Sequence, residues 1–228
     1  MLHSVIKTVL DLVLPRTCPG CGAPVPWCAN CASTLSARPR RVLVPESSAI
    51  SLPPVYAFAR YRGPVRAAVL AGKEKGRRDL PALLGESLGL GVLRLLSISV
   101  LTTPLWLVPA PSRAWAARAR GGDPVTAMAV AAASILSRHG SNVGVAPCLS
   151  TSRAARDSVG LDAASRVRNL RGRIICDVRA CPPPGAAVVL VDDVFTTGAT
   201  SAIASEALAQ FQLSVQAILV LATAAPFS

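Results

Sequence analysis

The segment at residues 188–200, VVLVDDVFTTGAT, constrains the fold of this chain more than any other part of the sequence. It opens with four aliphatic residues, a run that is typical of a strand buried on both faces. Apolar residues at helical spacing follow between residues 199 and 211. The order therefore predicts a strand, a ligand-binding loop and the start of a helix.

Small and hydroxylated residues form the predicted loop. Unpaired backbone N–H groups and the helix dipole favour an anion at a helix N-terminus, and a glycine lets the backbone approach that anion closely. We therefore predict a phosphate site in this loop. The predicted phosphate-binding residues are Thr196, Thr197, Gly198, Ala199 and Thr200.

Asp192 and Asp193 stand directly before this loop, where carboxylates would repel a phosphate unless they had another task. Sugar hydroxyls could donate hydrogen bonds to both carboxylates while a 5-phosphate occupies the loop. A ribose 5-phosphate would satisfy both ends of the motif. Two common nucleotide-binding loops are excluded, because no Gly-Lys-Ser/Thr follows and the dinucleotide glycine spacing is absent.

These residues resemble the phosphoribosyl pyrophosphate (PRPP) motif of type I phosphoribosyltransferases, in which hydrophobic residues precede two acids and a Thr-Thr-Gly loop. The resemblance implies that Asp192 and Asp193, the candidate catalytic residues, contact the ribose. It also implies that the loop holds the 5-phosphate. An ordinary buried strand followed by a turn is the alternative, but such a strand would not require two adjacent acids.

Four of the seven cysteines stand in two CxxC pairs, CPGC and CANC. Each pair can direct two thiolates to one metal, and two pairs complete the tetrahedral site that Zn²⁺ prefers. The metal would be structural, since thiolates fill all four positions. Paired disulfides and redox thiols are the alternatives. The predicted zinc ligands are Cys18, Cys21, Cys28 and Cys31, whereas Cys148, Cys176 and Cys181 are isolated in the sequence and are expected to be buried or incidental thiols.

Composition excludes a disordered chain, because 51% of the 228 residues are hydrophobic and only 16% are charged. The net charge of +12 has two explanations, solvated arginine faces or a polyanionic partner. Residues 4–14 are predicted to form a short amphipathic helix rather than a signal peptide. The most apolar region, residues 80–110, is predicted to be a buried helix and strand rather than a membrane span, so we expect a cytoplasmic protein.

Helical and strand patterns alternate along the rest of the chain, which predicts an α/β fold. Ligands bind at the carboxyl ends of strands in open α/β sheets, so Arg113, Arg118 and Arg120, which follow one such strand, are the candidate pyrophosphate-binding residues. Residues 153–172 are predicted to form a mobile, basic flap. The predicted strands are 56–66 (or a hairpin), 105–112 and 143–146, and the predicted helices are 65–70, 80–96 and 125–136.

Over most of its length the chain resembles the ComF family of competence-associated proteins, a phosphoribosyltransferase-like group with an N-terminal zinc finger. Two positions depart from the family pattern: Gly122, Asp123 and Pro124 stand where Asn-Gln is common, and Ser158 stands where the flap commonly has Gln. The shared elements are the four-cysteine knuckle, the Tyr61-Arg-Gly63 turn leading to Lys73, the Val108-Pro-Ala-Pro111 loop, the Arg118-Ala-Arg-Gly121 turn, the Leu161, Arg166 and Asn169 flap, and the PRPP motif.

The resemblance implies a type I phosphoribosyltransferase-like fold, with a mostly parallel sheet flanked by helices in residues 46–228 and a Cys₄ zinc-knuckle module in residues 1–45. It implies PRPP as a ligand, and a hard Mg²⁺ ion would bridge the pyrophosphate and ribose oxygens of PRPP. For some members it implies a role in taking up single-stranded DNA, with partners in the DNA-uptake machinery.

The alternative function is a nucleic-acid-binding or regulatory protein that uses the PRPP site as a ligand sensor without transferase activity. Single-strand binders usually stack bases on aromatic side chains, and only 4% of this chain is aromatic. The candidate stacking residues, for which simple packing is the other explanation, are Trp27, Tyr56, Phe58 and Tyr61.

Overall fold

The computed structural model describes residues 16–35, 38–44, 52–113, 122–152 and 173–228. Within these residues, six strands form one sheet in the spatial order Arg40–Arg41, Val55–Arg60, Ser214–Thr223, Ala187–Phe195, Leu105–Pro109 and Val143–Val145. Three short strands form a second sheet in the order Ser112–Arg113, Leu149–Thr151 and Ile174–Cys176. In the larger sheet only the first pair in this order is antiparallel. The predicted architecture, a mostly parallel sheet flanked by helices with clustered cysteines near the N-terminus, is confirmed.

The elements follow the alternation that the sequence predicts. The strands are β1 (Arg40–Arg41), β2 (Val55–Arg60), β3 (Leu105–Pro109), β4 (Ser112–Arg113), β5 (Val143–Val145), β6 (Leu149–Thr151), β7 (Ile174–Cys176), β8 (Ala187–Phe195) and β9 (Ser214–Thr223). The helices are α1 (Ala29–Ala32), α2 (Gly63–Glu74), α3 (Leu80–Ser97), α4 (Pro124–Arg138) and α5 (Ala199–Ala209), with a short 3₁₀ helix at Val178–Ala180.

Strand β8 lies in the middle of the larger sheet and is covered on both faces. Val189 and Val191 join one apolar cluster with α2, α3 and α4, whereas Val188 and Leu190 join the other with α5. Successive side chains of a strand point to opposite faces, so a strand between two helical layers needs an unbroken aliphatic run. Residues 188–191 are all fully buried, as their sequence predicts.

Helix α3 is one continuous helix, and its glycines serve packing rather than interruption. Added Cβ atoms at Gly85 and Gly89 would collide with the backbone and side chains of α4, so the two helices approach closely along this line. By length and hydropathy α3 is the one described helix that could cross a membrane, but half of it is buried inside the protein. Its packing against α4 and the sheet agrees with the predicted buried helix.

The residues that follow the cysteine pairs join the main sheet. β1 pairs with β2, and Val42 bridges to Phe227 near the C-terminus. The predicted helix at residues 4–14 and the predicted flap at residues 153–172 lie outside the described residues. The division at residue 45 stays a prediction.

Candidate functional site

The acidic pair lies within β8, close to its carboxyl end. The strand continues through both acids to Phe195, so the loop is limited to Thr196, Thr197 and Gly198 before α5 begins at Ala199. Asp193 is buried, whereas Asp192 is partly buried. The strand, loop and helix start that the sequence predicts are therefore all present, and the carboxylates are held by a strand rather than by a loop.

Lys73, in the last turn of α2, reaches across to the acidic pair. Its Nζ lies 2.6 Å from Oδ2 of Asp193, and the Asp193 side chain is only 5% exposed. Burial lowers the pKa of Lys73, but attraction to the carboxylates of Asp193 and Asp192 outweighs burial and raises it overall. A charged ammonium therefore neutralises the buried carboxylate at any physiological pH.

At Asp192, the effects that favour the neutral form outweigh those that favour the charged form. Burial, together with repulsion by Asp193, raises its pKa to about 7, although Lys73 pulls it down. One oxygen of the carboxyl is fixed, because the backbone N–H of Asp193 donates to Oδ1 of Asp192 at 2.8 Å. A carboxyl group whose pKa is shifted to near neutral pH is a common property of functional sites.

The loop ends at a residue that must be glycine. Gly198 has a φ of +77°, and a Cβ there would come within 2.7 Å of Leu52 Cδ1 and 2.9 Å of Phe195 Cζ. Gly198 is also the N-cap of α5, and no side chain caps this helix end. The first N–H groups of a helix have no partner within the helix, so this end has the properties of an anion site.

A cavity of about 140 Å³ adjoins the small crevice that Lys73 and Asp193 line. The last turn of α2 and the first turns of α3 and α4 line it, with Arg78 and Asp123 as its charged residues. Gly72, Pro81 and Pro124 line both this cavity and the small crevice at Lys73 and Asp193. Asp193 and Lys73 therefore line a narrow crevice that adjoins a cavity large enough to admit part of a ligand.

The departure from the family pattern at residues 122–124 has a structural explanation. Oδ2 of Asp123 accepts hydrogen bonds from the backbone N–H of Thr126 at 3.0 Å and from its hydroxyl at 2.6 Å, so Asp123 is the N-cap of α4. Pro124 occupies the first helical position, where its missing N–H costs nothing. The other oxygen, Oδ1 of Asp123, is buried without a partner among the described residues.

The structure describes one of the three predicted pyrophosphate-binding arginines. Arg113 belongs to β4. Arg118, Arg120 and the flap residues lie outside the described residues, so their part in the site stays a prediction.

The four cysteines of the CxxC pairs meet at one point. Their sulfur atoms all lie within 4.8 Å of one another, with Cys28 Sγ at 3.7 Å from that of Cys18 and 3.5 Å from that of Cys21. Tetrahedral Zn²⁺ with bonds of about 2.3 Å would separate the sulfurs by about 3.8 Å. The donor set and its spacing therefore fit Zn²⁺.

Backbone groups prepare one of these thiols, Cys18, for a cation, whereas burial and the neighbouring sulfurs raise the pKa of Cys31. The Cys31 N–H donates to Cys28 Sγ at 3.3 Å. Burial raises the pKa of Cys18, but N–H groups near its sulfur outweigh burial and lower the pKa to about 6. Cys18 is therefore largely a thiolate at neutral pH, the form that binds metal.

Arg77 fastens this knuckle to the body of the protein. Its guanidinium donates to the backbone carbonyls of Thr17 and Pro26 at 2.7 and 3.1 Å, and to both oxygens of Asp79 at 2.9 and 2.7 Å. Arg16 also pairs with Asp79 at 3.1 Å. Burial raises the pKa of Asp79, but these cations outweigh it and lower the pKa overall.

The other three cysteines are not isolated, which corrects the expectation from the sequence. Cys148, Cys176 and Cys181 come together so that all three sulfurs lie within 4.8 Å of one another. Strand pairing causes this, because Leu149 of β6 lies opposite Cys176 of β7. Sequence spacing alone gives no sign of that pairing.

Lys73 is the site residue that sequence reasoning did not select, although the sequence carried a signal for it. Val65 and Val69 are buried on the core side of α2, and Lys73 follows at the same helical spacing. A lysine in line with a buried stripe predicts a buried partner for its charge.

No family model matches the chain, and no curated protein matches it by sequence. Among solved structures, it aligns with an adenine phosphoribosyltransferase at 14% identity and a TM-score of 0.37, covering 84% of this chain and 89% of the other. It also aligns with adenine phosphoribosyltransferase from Saccharomyces cerevisiae, complexed with an imino-altritol bisphosphate and adenine, at 16% identity and a TM-score of 0.35, covering 85% and 90%. Similarity at this level does not define a family, so function is argued from the site itself.

Proposed function

We propose that this protein binds PRPP, with the ribose at Asp192 and Asp193 and the 5-phosphate at Thr196–Thr200. One observation carries the proposal: a carboxylate pair, whose buried member is neutralised by Lys73, stands directly before a helix N-terminus that no side chain caps. Sugar hydroxyls donate to the carboxylates, and backbone N–H groups bind the phosphate. The two halves of the site match the two chemically different ends of a ribose 5-phosphate.

Each residue then has a defined task. The ion pair with Lys73 fixes the Asp193 carboxylate, so it can accept a hydrogen bond without reorganising. Asp192 loses its proton near neutral pH and accepts a second hydroxyl. Gly198 allows the turn that directs the N–H groups of α5 toward the phosphate. Displacement at the anomeric carbon needs mainly this positioning, together with neutralisation of the leaving pyrophosphate.

A hard cation fits the donor set of this site, because two neighbouring carboxylates and the oxygens of the ligand are all hard ligands. Burial, together with the neighbouring Asp193 carboxyl, raises the pKa of Asp192, and a cation beside Asp192 would favour its ionised form. Mg²⁺ carried in by PRPP would neutralise part of the pyrophosphate charge. Arg113, Arg118 and Arg120 are proposed to share that task.

The order of a four-cysteine knuckle and a PRPP motif along one chain supports a relationship to the ComF family and a structural Zn²⁺ at Cys18, Cys21, Cys28 and Cys31. The DNA-uptake role implied by that resemblance stays a prediction. Three of its candidate stacking aromatics pack partly against the core and the fourth is buried, which favours the packing explanation. A fluorescence titration with single-stranded DNA at two salt concentrations tests it, since phosphate-driven binding weakens as salt rises.

Calorimetry with PRPP and Mg²⁺ tests the main proposal. The native protein should bind PRPP, and Asp192→Asn should weaken binding about tenfold or more, because it removes a charged acceptor worth roughly 1.5–3 kcal/mol. The amide keeps an acceptor for the Asp193 N–H, so the fold should remain. Exposed Glu86 offers a matched control, and Glu86→Gln should bind like the native protein.

Ribose 5-phosphate and pyrophosphate, titrated separately, identify which half of PRPP is recognised. Affinity for ribose 5-phosphate that is lost in Asp192→Asn supports the assignment. A native protein that binds neither PRPP nor ribose 5-phosphate contradicts it. Pyrophosphate release from PRPP in the presence of purine and pyrimidine bases separates a transferase from a ligand sensor.

A further inference from the structure

Three cysteines from two separate parts of the chain converge beside the smaller sheet. Cys148 directly precedes β6, Cys176 ends β7, and Cys181 follows the 3₁₀ helix at Val178–Ala180. Their sulfurs all lie within 4.8 Å of one another. Those of Cys176 and Cys181 are 2.9 Å apart, so a bound metal would widen this pair to about 3.8 Å. None of these residues belongs to the N-terminal knuckle or to the ribose-phosphate site.

The backbone holds this arrangement in place. The N–H of Asp177 donates to the carbonyl of Cys148 at 2.8 Å, which ties β7 to the residue before β6. The Asp177 carboxylate then accepts from the Arg179 N–H at 3.1 Å and begins the 3₁₀ turn. That turn closes with a bond from the Cys181 N–H to the Val178 carbonyl at 3.3 Å, and it returns Cys181 to the side of Cys176.

The surroundings select the kind of ligand. Cys148 is 2% exposed and packs in the apolar cluster beneath α5, while Cys176 and Cys181 are partly buried against that cluster. The donor group contains sulfur alone among the described residues, without a carboxylate or imidazole. Hard ions such as Mg²⁺ and Ca²⁺ require oxygen ligands, whereas thiolates select thiophilic ions.

We infer that Cys148, Cys176 and Cys181 form a second metal site, which binds one thiophilic d¹⁰ ion, Zn²⁺ or Cu⁺, through three thiolates. Each thiol releases its proton when the metal binds. The ion would join β6, β7 and the segment leading to β8, so it would stabilise the smaller sheet. Zn²⁺ would take a fourth ligand from solvent at the partly exposed side, whereas Cu⁺ needs none.

Metal content of the full chain, purified with a reductant and equilibrated with Zn²⁺ or Cu⁺, tests this inference. We expect about two ions per chain in the native protein and about one in Cys176→Ser/Cys181→Ser, because the knuckle binds independently. The reciprocal variant Cys18→Ser/Cys21→Ser should also retain about one, held by the three-thiolate site. Each metal-loaded form of this variant is then treated with a chelator selective for the bound metal. The site prefers the metal that it retains better.

Alkylation of the native protein gives an answer even if the variants fail to fold. Peptide mapping should show Cys148, Cys176 and Cys181 protected from N-ethylmaleimide by metal and labelled after chelation. Equal labelling of these three cysteines with and without metal would overturn the inference. A native protein with only one ion per chain, and a Cys18→Ser/Cys21→Ser variant with none, would also overturn it. So would a Cys176–Cys181 disulfide that persists in the reduced, metal-loaded protein.

Discussion

The Lys73 ammonium lies 2.6 Å from a carboxylate oxygen of Asp193, which joins the last turn of α2 to the carboxyl end of β8. The carboxylate is nearly inaccessible at 5% exposure, whereas the lysine side chain is 41% exposed. The charge of Asp193 therefore depends on Lys73 more than the charge of Lys73 depends on Asp193. Asp193 loses its counter-charge if Lys73 is removed, whereas Lys73 could be solvated by water.

Lys73→Met should therefore destabilise the fold and weaken PRPP binding. Removing one partner of a fully buried pair costs about 3–5 kcal/mol, and we expect roughly 1–3 kcal/mol here because water reaches the ammonium. Chemical denaturation measures the loss. Lys75, two residues further on, is exposed, and Lys75→Met should leave both properties nearly unchanged. Equal effects of the two substitutions would show that the pair has no special role.

The raised pKa of Asp192 predicts that stability without ligand depends on pH. The folded protein binds a proton at Asp192 more tightly than the unfolded chain does, so this contribution is present below pH 4 and is lost as pH rises through about 7. Asp192→Asn removes the titrating group. The variant should therefore be more stable than the native protein at pH 8, by an amount on the order of 1–3 kcal/mol.

Thermal unfolding at several pH values measures this difference. The advantage of Asp192→Asn should shrink steadily between pH 8 and pH 5, and Glu86→Gln should show no such trend. A constant difference across that interval would mean that Asp192 does not titrate there.

Gly198→Ala should disrupt the phosphate loop through two separate effects. The backbone is held at a φ of +77°, and the new Cβ would collide with Leu52 and Phe195. Gly185 has a φ of +79° but open space around it, so Gly185→Ala isolates the backbone strain. We expect about 1 kcal/mol for Gly185→Ala and clearly more for Gly198→Ala, together with loss of PRPP binding only in the latter.

Calorimetry and denaturation of both variants decide this comparison. If both substitutions lower the free energy of unfolding by the same amount, the contacts of Leu52 and Phe195 with residue 198 do not restrict the loop.

Arg77→Met should loosen the knuckle from the body while leaving its metal in place. It removes two hydrogen bonds to knuckle carbonyls and the paired contact with Asp79, each worth about 1.5–3 kcal/mol when charged. Hydrogen–deuterium exchange at residues 16–35 should increase about tenfold or more, whereas exposed Arg94→Met should have no effect. Zinc loss in Arg77→Met would instead indicate that docking and metal binding are one event.

Features with a local cause were predictable from the sequence. The aliphatic run of β8, the start of α5 and the four-cysteine knuckle each occupy one short stretch, so periodicity and spacing are sufficient to identify them. Helix α3 was predicted for the same reason. Its glycines are explained only by tertiary neighbours, because Gly85 and Gly89 contact α4 and Gly91 contacts Phe58 of β2.

The sequence by itself determined the α/β alternation, the acidic pair with its phosphate loop, and the first metal-binding thiols, because neighbouring residues specify them. Tertiary structure alone decided that Lys73 neutralises Asp193 and that Cys148, Cys176 and Cys181 share one place. The first arises because α2 packs against α3 and β9, from where Lys73 reaches β8, and the second arises from pairing of β6 with β7. Such long-range contacts depend on the fold as a whole, and no local pattern encodes their partners.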